Sequence, residues 1–231
     1  MVSSSRLAHL VRFYELLERL EAQVGGRRSL AETSGQQPWP KRGVYFFFEP
    51  GEVRTVSGNG ERVVRVGTHA VSSGSKTTLW QRLSAHRGTV RTGGGNHRGS
   101  IFRLHVGTAL QAGSGQEGPT WGVGSSAPSQ VRDAELPFER QVSATLGHFS
   151  VVWLEIDDEP GASSLRAFIE QNAIALLSGL NGAIADAPSE GWLGRHAAHG
   201  LVRRSGLWNV RHVADAYDPG FLDTFAAHLV S

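Results

Sequence analysis

Residues 43–49, Gly-Val-Tyr-Phe-Phe-Phe-Glu, form one run of apolar side chains, and residues 63–67, Val-Val-Arg-Val-Gly, form a second. Both runs are rich in the β-branched and aromatic residues that favour strands, and the Ser-Gly-Asn-Gly sequence at 57–60 favours a turn between them. The pattern therefore predicts a β-hairpin with strands at 43–48 and 62–67.

Helical and strand patterns continue on both sides of this hairpin. Apolar residues recur at helical spacing over 5–24, and similar patterns predict helices at 77–87 and 164–178. The run Ser-Val-Val-Trp-Leu-Glu-Ile at 150–156 predicts another strand. Weaker patterns predict four more segments: a strand or buried segment at 101–107, a mobile loop at 111–130, a helix at 134–147 and a C-terminal helix from Pro219.

This order of elements predicts an α+β fold with a small, three-stranded, mainly antiparallel sheet flanked by helices. We divide the chain into three parts: an N-terminal helix and linker at 1–41, a core at 42–181 and a C-terminal extension at 182–231 that packs on the core. The core carries an insertion at about 89–147.

Composition narrows the class of protein. The 231 residues carry a net charge of +2 and no cysteine, which excludes disulfides and thiolate zinc sites. No apolar run approaches the roughly 20 residues that span a bilayer, so we expect a cytoplasmic protein without a membrane partner. Nearly all basic residues are arginine, which suits phosphate contacts but also follows from a biased coding composition.

The predicted helix at 77–87 carries four side chains on one face. They follow one another at i, i+3, i+4 and i+7: Leu79, Arg82, Leu83 and His86. Because leucines mark a buried face, the arginine and the histidine should face the sheet one turn apart. A buried arginine needs an acid, a carbonyl or a phosphate. The alternative, an arginine that reaches water from the edge of this face, stays open.

Glu170 lies beside an apolar stripe on the predicted helix at 164–178. A carboxylate among apolar groups suits a divalent cation, since Mg²⁺ is often held by one or two carboxylates with water and phosphate. The alternative is a surface ion pair with Arg166, one turn earlier.

These motifs, in this order, resemble the GIY-YIG nuclease superfamily. Residues 43–45, Gly-Val-Tyr, match its first motif, residues 66–67 match the end of its second, and Arg82 with His86 matches its R-x-x-x-H pattern. The resemblance covers about residues 42–181. It implies an enzyme that hydrolyses nucleic acid phosphodiesters, together with the sheet predicted above.

The helix around Glu170 resembles the helix of that family that carries the metal ligand, and Asn181 matches the asparagine that ends it. The resemblance implies that Glu170 holds one Mg²⁺ or Mn²⁺ ion and that Asn181 contacts the substrate. It also gives Tyr45 the role of taking a proton from the attacking water, with His86 as a relay and Arg82 stabilising charge on the phosphate. From spacing alone, Tyr45 is equally a core tyrosine.

The second motif departs from the family pattern. Its tyrosine is replaced by Arg65, whose guanidinium would bind the scissile phosphate or would mark an altered activity. His69, two residues after Gly67, is a candidate phosphate contact, and so is Lys76 just before the Arg82 helix. His97 and Arg98, in a glycine-rich stretch at 93–100, are candidates to hold the nucleic acid backbone, or lie in an exposed loop.

Three hypotheses follow. The first is a metal-dependent endonuclease that acts on DNA rather than RNA, with a homodimer suited to double-strand cleavage. The second is a nucleic-acid-binding module of this family in which catalysis is weak or lost. The third is an unrelated α+β protein. The first two require Tyr45, Arg82, His86 and Glu170 to converge on one cleft.

Overall fold

A computed structural model describes residues 3–115, 118–182 and 184–229 of the chain. The described part has an α+β fold built on one antiparallel sheet whose strands lie in the order β1-β4-β2-β3. The bounds of its strands are β1 Arg28–Ser29, β2 Gly43–Val53, β3 Glu61–Gly67 and β4 Ser150–Glu155. The predicted fold class is confirmed, and the two-residue strand β1 adds a fourth member to the three strands expected.

Seven α-helices lie in the described ranges, with bounds α1 Ser4–Gln23, α2 Leu79–Arg87, α3 Ile101–Ser114, α4 Ser129–Gly147, α5 Leu165–Leu177, α6 Gly200–Ser205 and α7 Phe221–Ala227. A capping box sets the start of α2: the Thr78 hydroxyl accepts from the Gln81 amide, and the Gln81 side chain accepts from the Thr78 amide.

The prediction of a strand or buried segment at 101–107 is corrected to the first half of helix α3. Ser100 caps this helix, because its hydroxyl accepts a hydrogen bond from the Arg103 amide. Phe102, Val106 and Ala109 are buried at helical spacing. A short apolar run does not distinguish a strand from a buried helix by periodicity, and here the cap and the tertiary packing decide the matter.

The sheet separates two hydrophobic cores, because successive side chains along a strand point to opposite faces. Phe46 and Phe48 of β2 pack into the core that is completed by α1, α5 and α7. Tyr45 and Phe47 pack into the other core, with α2, α3 and α4. Residues of all three predicted parts of the chain contribute to these cores, and the boundaries at 41 and 181 stay predictions.

A C-terminal segment, residues 207–209, covers the open edge of β3. The Trp208 amide donates to the Val64 carbonyl at 2.8 Å. The Asn209 side chain accepts from the Val66 amide at 3.1 Å and donates to its carbonyl at 2.8 Å. The segment thus satisfies backbone groups that an uncovered edge strand would expose. None of the helices in the described ranges has the length and apolarity of a membrane span.

Candidate active site

An open cleft with a volume of about 840 Å³ lies where the end of β3 meets α2, α3 and α5. Four of the predicted site residues line it: Arg65, His69, Arg82 and Glu170. Residues 208–212, which begin within the C-terminal segment and continue beyond it, form a further part of its wall. The cleft therefore brings together side chains from a strand, three helices and a segment distant in sequence.

Tyr45 and His86 form a buried pair. The Tyr45 hydroxyl and His86 Nε2 are 2.9 Å apart, and His86 Nδ1 is 2.7 Å from the hydroxyl of Ser100. Both side chains are fully buried. The pair exists because Tyr45 on β2 and the inward face of α2 meet in the same core. The Tyr45 phenol oxygen is thus hydrogen-bonded to an imidazole that can exchange a proton with it.

Gly67 is needed because Tyr45 lies across it. The two residues are partners in the β2–β3 ladder. A Cβ atom at position 67 would lie 2.4 Å from the Tyr45 hydroxyl oxygen. Any larger residue would therefore displace the Tyr45 ring, which gives a physical reason for the glycine that ends the second motif.

Arg65 occupies the centre of the predicted site. Its Nη1 donates to the Trp208 carbonyl at 2.7 Å, and its guanidinium carbon lies 4.8 Å from the centre of the Phe102 ring. Burial lowers the pKa of Arg65, while the nearby Tyr45 and Glu170 raise it and Arg82 lowers it. Arg65 is therefore close to three side chains to which the resemblance gives a role. They are Tyr45, Arg82 and Glu170.

Glu170 lies on the wall of the same cleft as Arg65 and Arg82. Its Oε1 accepts from the Thr68 amide at 3.0 Å, which anchors the carboxylate at the end of β3. Burial raises the pKa of Glu170, and Arg65 is the strongest of the influences that lower it. Arg166, the surface partner that the sequence allowed, pairs instead with Asp158 and donates to the His69 carbonyl.

The charges around His86 keep its imidazole neutral. Burial, and then the positive charges of Arg82, Arg65 and Arg103, hold the pKa of His86 well below its ordinary value. The imidazole is therefore neutral at neutral pH, and the same burial and charges weaken it as a proton acceptor. The Arg82 guanidinium, half-buried on the next turn of α2, makes no hydrogen bond or ion pair within the described ranges and is available to an anion.

The single carboxylate suits a divalent cation that also binds water and substrate. Thr68 holds one oxygen of Glu170, and no described residue donates to the other, Oε2. Across the described ranges, no three acidic, histidine or cysteine side chains gather as ligands. One carboxylate oxygen facing a cleft is the donor set that Mg²⁺ takes when phosphate and water fill its remaining positions.

The other predicted contacts near the cleft are His69 and Lys76. His69 lines the cleft, and burial, with the charge of Arg166 second, lowers its pKa to about 4. Lys76 is exposed, and its neighbour Thr77 lies on the cleft wall. The lysine therefore lies near the rim of the cleft, and its contact with nucleic acid stays a prediction.

His97 and Arg98 are engaged inside the inserted segment. His97 is buried, and its Nδ1 lies 3.0 Å from Glu139, while Arg98 forms an ion pair with Glu135 at 2.6 Å. The structure does not bring either side chain to the cleft. Asn181 ends a short 3₁₀ turn, and its side chain lies outside the described part of the structure.

Sequence reasoning missed three contributors to this site. Ser100 holds His86, the Trp208 carbonyl holds Arg65, and His105 lines the cleft from α3. They lie in the insertion and the extension, and no local pattern connects them to the motifs. Only the packing of α3 and of residues 207–209 against β3 brings them there.

Comparison with known proteins agrees with this geometry. A family model described as a GIY-YIG domain matches residues 4–231. No curated protein and no solved structure matches the chain. Domains of the matching family are typically endonucleases. Since the match extends over nearly the whole chain, including the insertion and the C-terminal segment, the chain belongs to the GIY-YIG domain family.

Proposed function

We propose that this protein is a metal-dependent endonuclease that hydrolyses phosphodiester bonds in DNA. One observation carries the proposal: Arg65, Arg82 and Glu170, from three different elements, line a single cleft. Tyr45, on a fourth element and buried behind the cleft wall, acts with Arg82 and Glu170 on the charge of Arg65. Perturbed ionisable groups gathered at a cleft are typical of active sites. A cytoplasmic location stays a prediction of the sequence alone.

The pair of Tyr45 and His86 supplies the base. A phenol is a weak base at neutral pH, but here it can pass its own proton to neutral His86 as it takes one from the attacking water. The positive charges of Arg65 and Arg82 oppose protonation of His86. A bound phosphate offsets those charges, so the imidazole becomes a better proton acceptor when substrate is present.

Arg65 and Arg82 would hold the phosphate. Both line the cleft, and Arg65 is fixed in place by the Trp208 carbonyl and the Phe102 ring. As the water oxygen bonds to phosphorus and the bond to the leaving oxygen breaks, negative charge grows on the non-bridging oxygens. Donors that are already in place stabilise that charge without reorganisation.

Glu170 would hold the Mg²⁺ or Mn²⁺ ion through its Oε2, with the Thr68 amide keeping Oε1 in place. Such an ion acts as a Lewis acid and stabilises charge on the leaving oxygen. Burial raises the pKa of Glu170, and Arg65, the Thr68 amide and Arg82 offset that effect only in part. A bound divalent cation would favour the charged carboxylate further.

Binding without cleavage is the second candidate, and one observation favours it. Arg65 stands where the family pattern has a tyrosine, so this site has one hydroxyl in place of two. The site would then bind a phosphate backbone through Arg65 and Arg82 without completing the reaction. A homodimer, which would bring a second site to the opposite strand, stays a prediction.

A cleavage assay tests both candidates. Purified protein is incubated with supercoiled plasmid, single-stranded DNA or RNA, with Mg²⁺, with Mn²⁺ or with EDTA. We expect nicking of plasmid that requires the metal. Arg82→Leu should lower the rate about 10²-fold or more, because it removes a donor to the transition state. Arg19→Leu is the control, since Arg19 is exposed on α1, which packs on the opposite face of the sheet.

The outcomes separate the candidates. Metal-dependent cleavage that Arg82→Leu abolishes and Arg19→Leu preserves supports the endonuclease. Tight binding of nucleic acid without cleavage under any metal supports the binding module. Neither binding nor cleavage contradicts both.

A further inference from the structure

The wall of the cleft contains buried polar atoms that the described chain leaves without hydrogen bonds. They are both ring nitrogens of His69, together with Nε of Arg65 and Nε2 of His105. A buried polar group without a partner costs about 1–3 kcal/mol. Groups of this kind on the wall of a candidate active site indicate that a polar ligand completes them.

Helix α3 places His105 on the wall of the cleft that Arg65 also lines. Phe102 and His105 lie three residues apart, on the same side of the helix. The Phe102 ring lies 4.8 Å from the Arg65 guanidinium, and the charge of Arg65 acts on His105. The imidazole is 95% buried, since its residue is 5% exposed, yet it lines the cleft. The imidazole and the guanidinium therefore lie on the same wall of the cleft, close enough for the charge of Arg65 to act on His105.

His105 presents a neutral hydrogen-bonding ring. Burial, with the charges of Arg65 and His199 next in importance, lowers the pKa of His105 to about 4. At neutral pH one of its ring nitrogens carries a proton and can donate. A neutral donor beside a cation suits an anionic oxygen, because the arginine supplies the charge and the histidine adds a directed hydrogen bond.

We propose that His105 is a substrate-binding residue whose Nε2–H donates to a non-bridging oxygen of the phosphate that Arg65 holds. The inference rests on the proposed function and assigns the inserted helix α3 a part in it. The phosphate would then lie between β3, which supplies Arg65, and α3, which supplies His105. The ring of His199, whose centre lies 5.6 Å from that of His105, gives the competing explanation, a role in packing alone.

Two substitutions separate hydrogen bonding from packing. His105→Gln places an amide N–H near the position of Nε2, whereas His105→Leu fills similar space without a donor. Binding of a fluorescently labelled 20-base-pair DNA duplex is measured by anisotropy in a Glu170→Gln background, so that the DNA is not cut. We expect His105→Leu to raise Kd about 10-fold or more, and His105→Gln to stay within about 3-fold of the parent.

His199→Asn is the matched control. The His199 side chain caps α6 by accepting from the Leu201 amide, and asparagine keeps that cap while removing the ring. We expect Kd to be unchanged. Thermal unfolding of each variant shows whether a loss of binding reflects a loss of fold.

Several results would overturn the proposal. They are equal binding by His105→Leu and the parent, an equal loss in His105→Leu and His105→Gln, or a loss in His199→Asn that matches His105→Leu. If His105→Leu does not fold, His105→Gln decides, and a Kd raised 10-fold by that variant overturns the proposal. If the wild-type chain cleaves DNA and the His105 variants bind the duplex with the Kd of the parent, the role of His105 is wrong and the proposed function stands. If the wild-type chain neither binds nor cuts nucleic acid, both the proposed function and the role of His105 are wrong.

Discussion

Arg65 is a buried cation that forms no ion pair with any carboxylate of the described residues. The Trp208 carbonyl and the Phe102 ring hold it, while Glu170 acts on it through charge. Burying a charged group is costly, and its lowered pKa expresses that cost. A phosphate in the cleft would supply the missing negative charge. Under the proposed function, Arg65 would thus bind an anion at the point where the family pattern has a second tyrosine hydroxyl.

Tyr45→Phe tests the role of the phenol oxygen. The ring remains to pack in the core, but the link to His86 is lost. We expect kcat for plasmid nicking to fall about 10²–10⁴-fold, the usual contribution of a positioned base, with KM changed only a few-fold. Single-turnover cleavage measures the effect.

Thermal unfolding checks the fold of Tyr45→Phe, since the loss of the hydroxyl leaves the buried His86 Nε2 without its partner, which costs about 1–3 kcal/mol. A variant that cleaves within 3-fold of the wild type would show that Tyr45 is a core tyrosine and nothing more.

At the scale of elements, the segment 207–209 connects the edge of β3 to the partly buried carboxyl group of Glu49. The indole N–H groups of Trp208 and Trp192 both donate to Oε2 of Glu49, at 2.9 and 3.0 Å. Burial raises the pKa of Glu49 to about 7. Between about pH 4.5 and pH 7 the folded chain therefore keeps a proton that the unfolded chain has lost, so stability falls as pH rises through that interval.

Glu49→Gln should remove this pH dependence. A glutamine oxygen still accepts from the two indoles but does not titrate. The shift from 4.5 to about 7 corresponds to at most about 3 kcal/mol. We therefore expect the free energy of unfolding of the wild type to fall between pH 5 and pH 8, and that of the variant to change less. The variant should be the more stable of the two at pH 8.

Urea unfolding at four pH values measures the difference. Glu155→Gln, an exposed carboxylate on β4, is the control. If the free energies of unfolding of the wild type and Glu49→Gln changed in parallel with pH, the raised pKa of Glu49 would not be the cause of the pH dependence.

At the scale of the whole molecule, the sequence predicts what depends on local pattern. The hairpin at 43–67 and the helix bearing Arg82 follow from periodicity and capping, and the structure confirms them. The sequence pattern does not predict that α3 is a helix or that residues 207–209 cover the edge of β3, because both depend on contacts between residues far apart in sequence. The candidate site divides in the same way. Tyr45, Arg82 and Glu170 follow from motifs, whereas Ser100, His105 and Trp208 follow only from packing.

The measurement that tests the central claim most directly compares Mg²⁺-dependent plasmid nicking by the wild type and by Glu170→Gln. Glutamine keeps an oxygen for the Thr68 amide but removes the negative charge. We predict that nicking falls by about 10³-fold, the effect of losing several kcal/mol of stabilisation by the metal, while DNA binding stays within a few-fold. Nicking by Glu170→Gln at the wild-type rate would contradict the account.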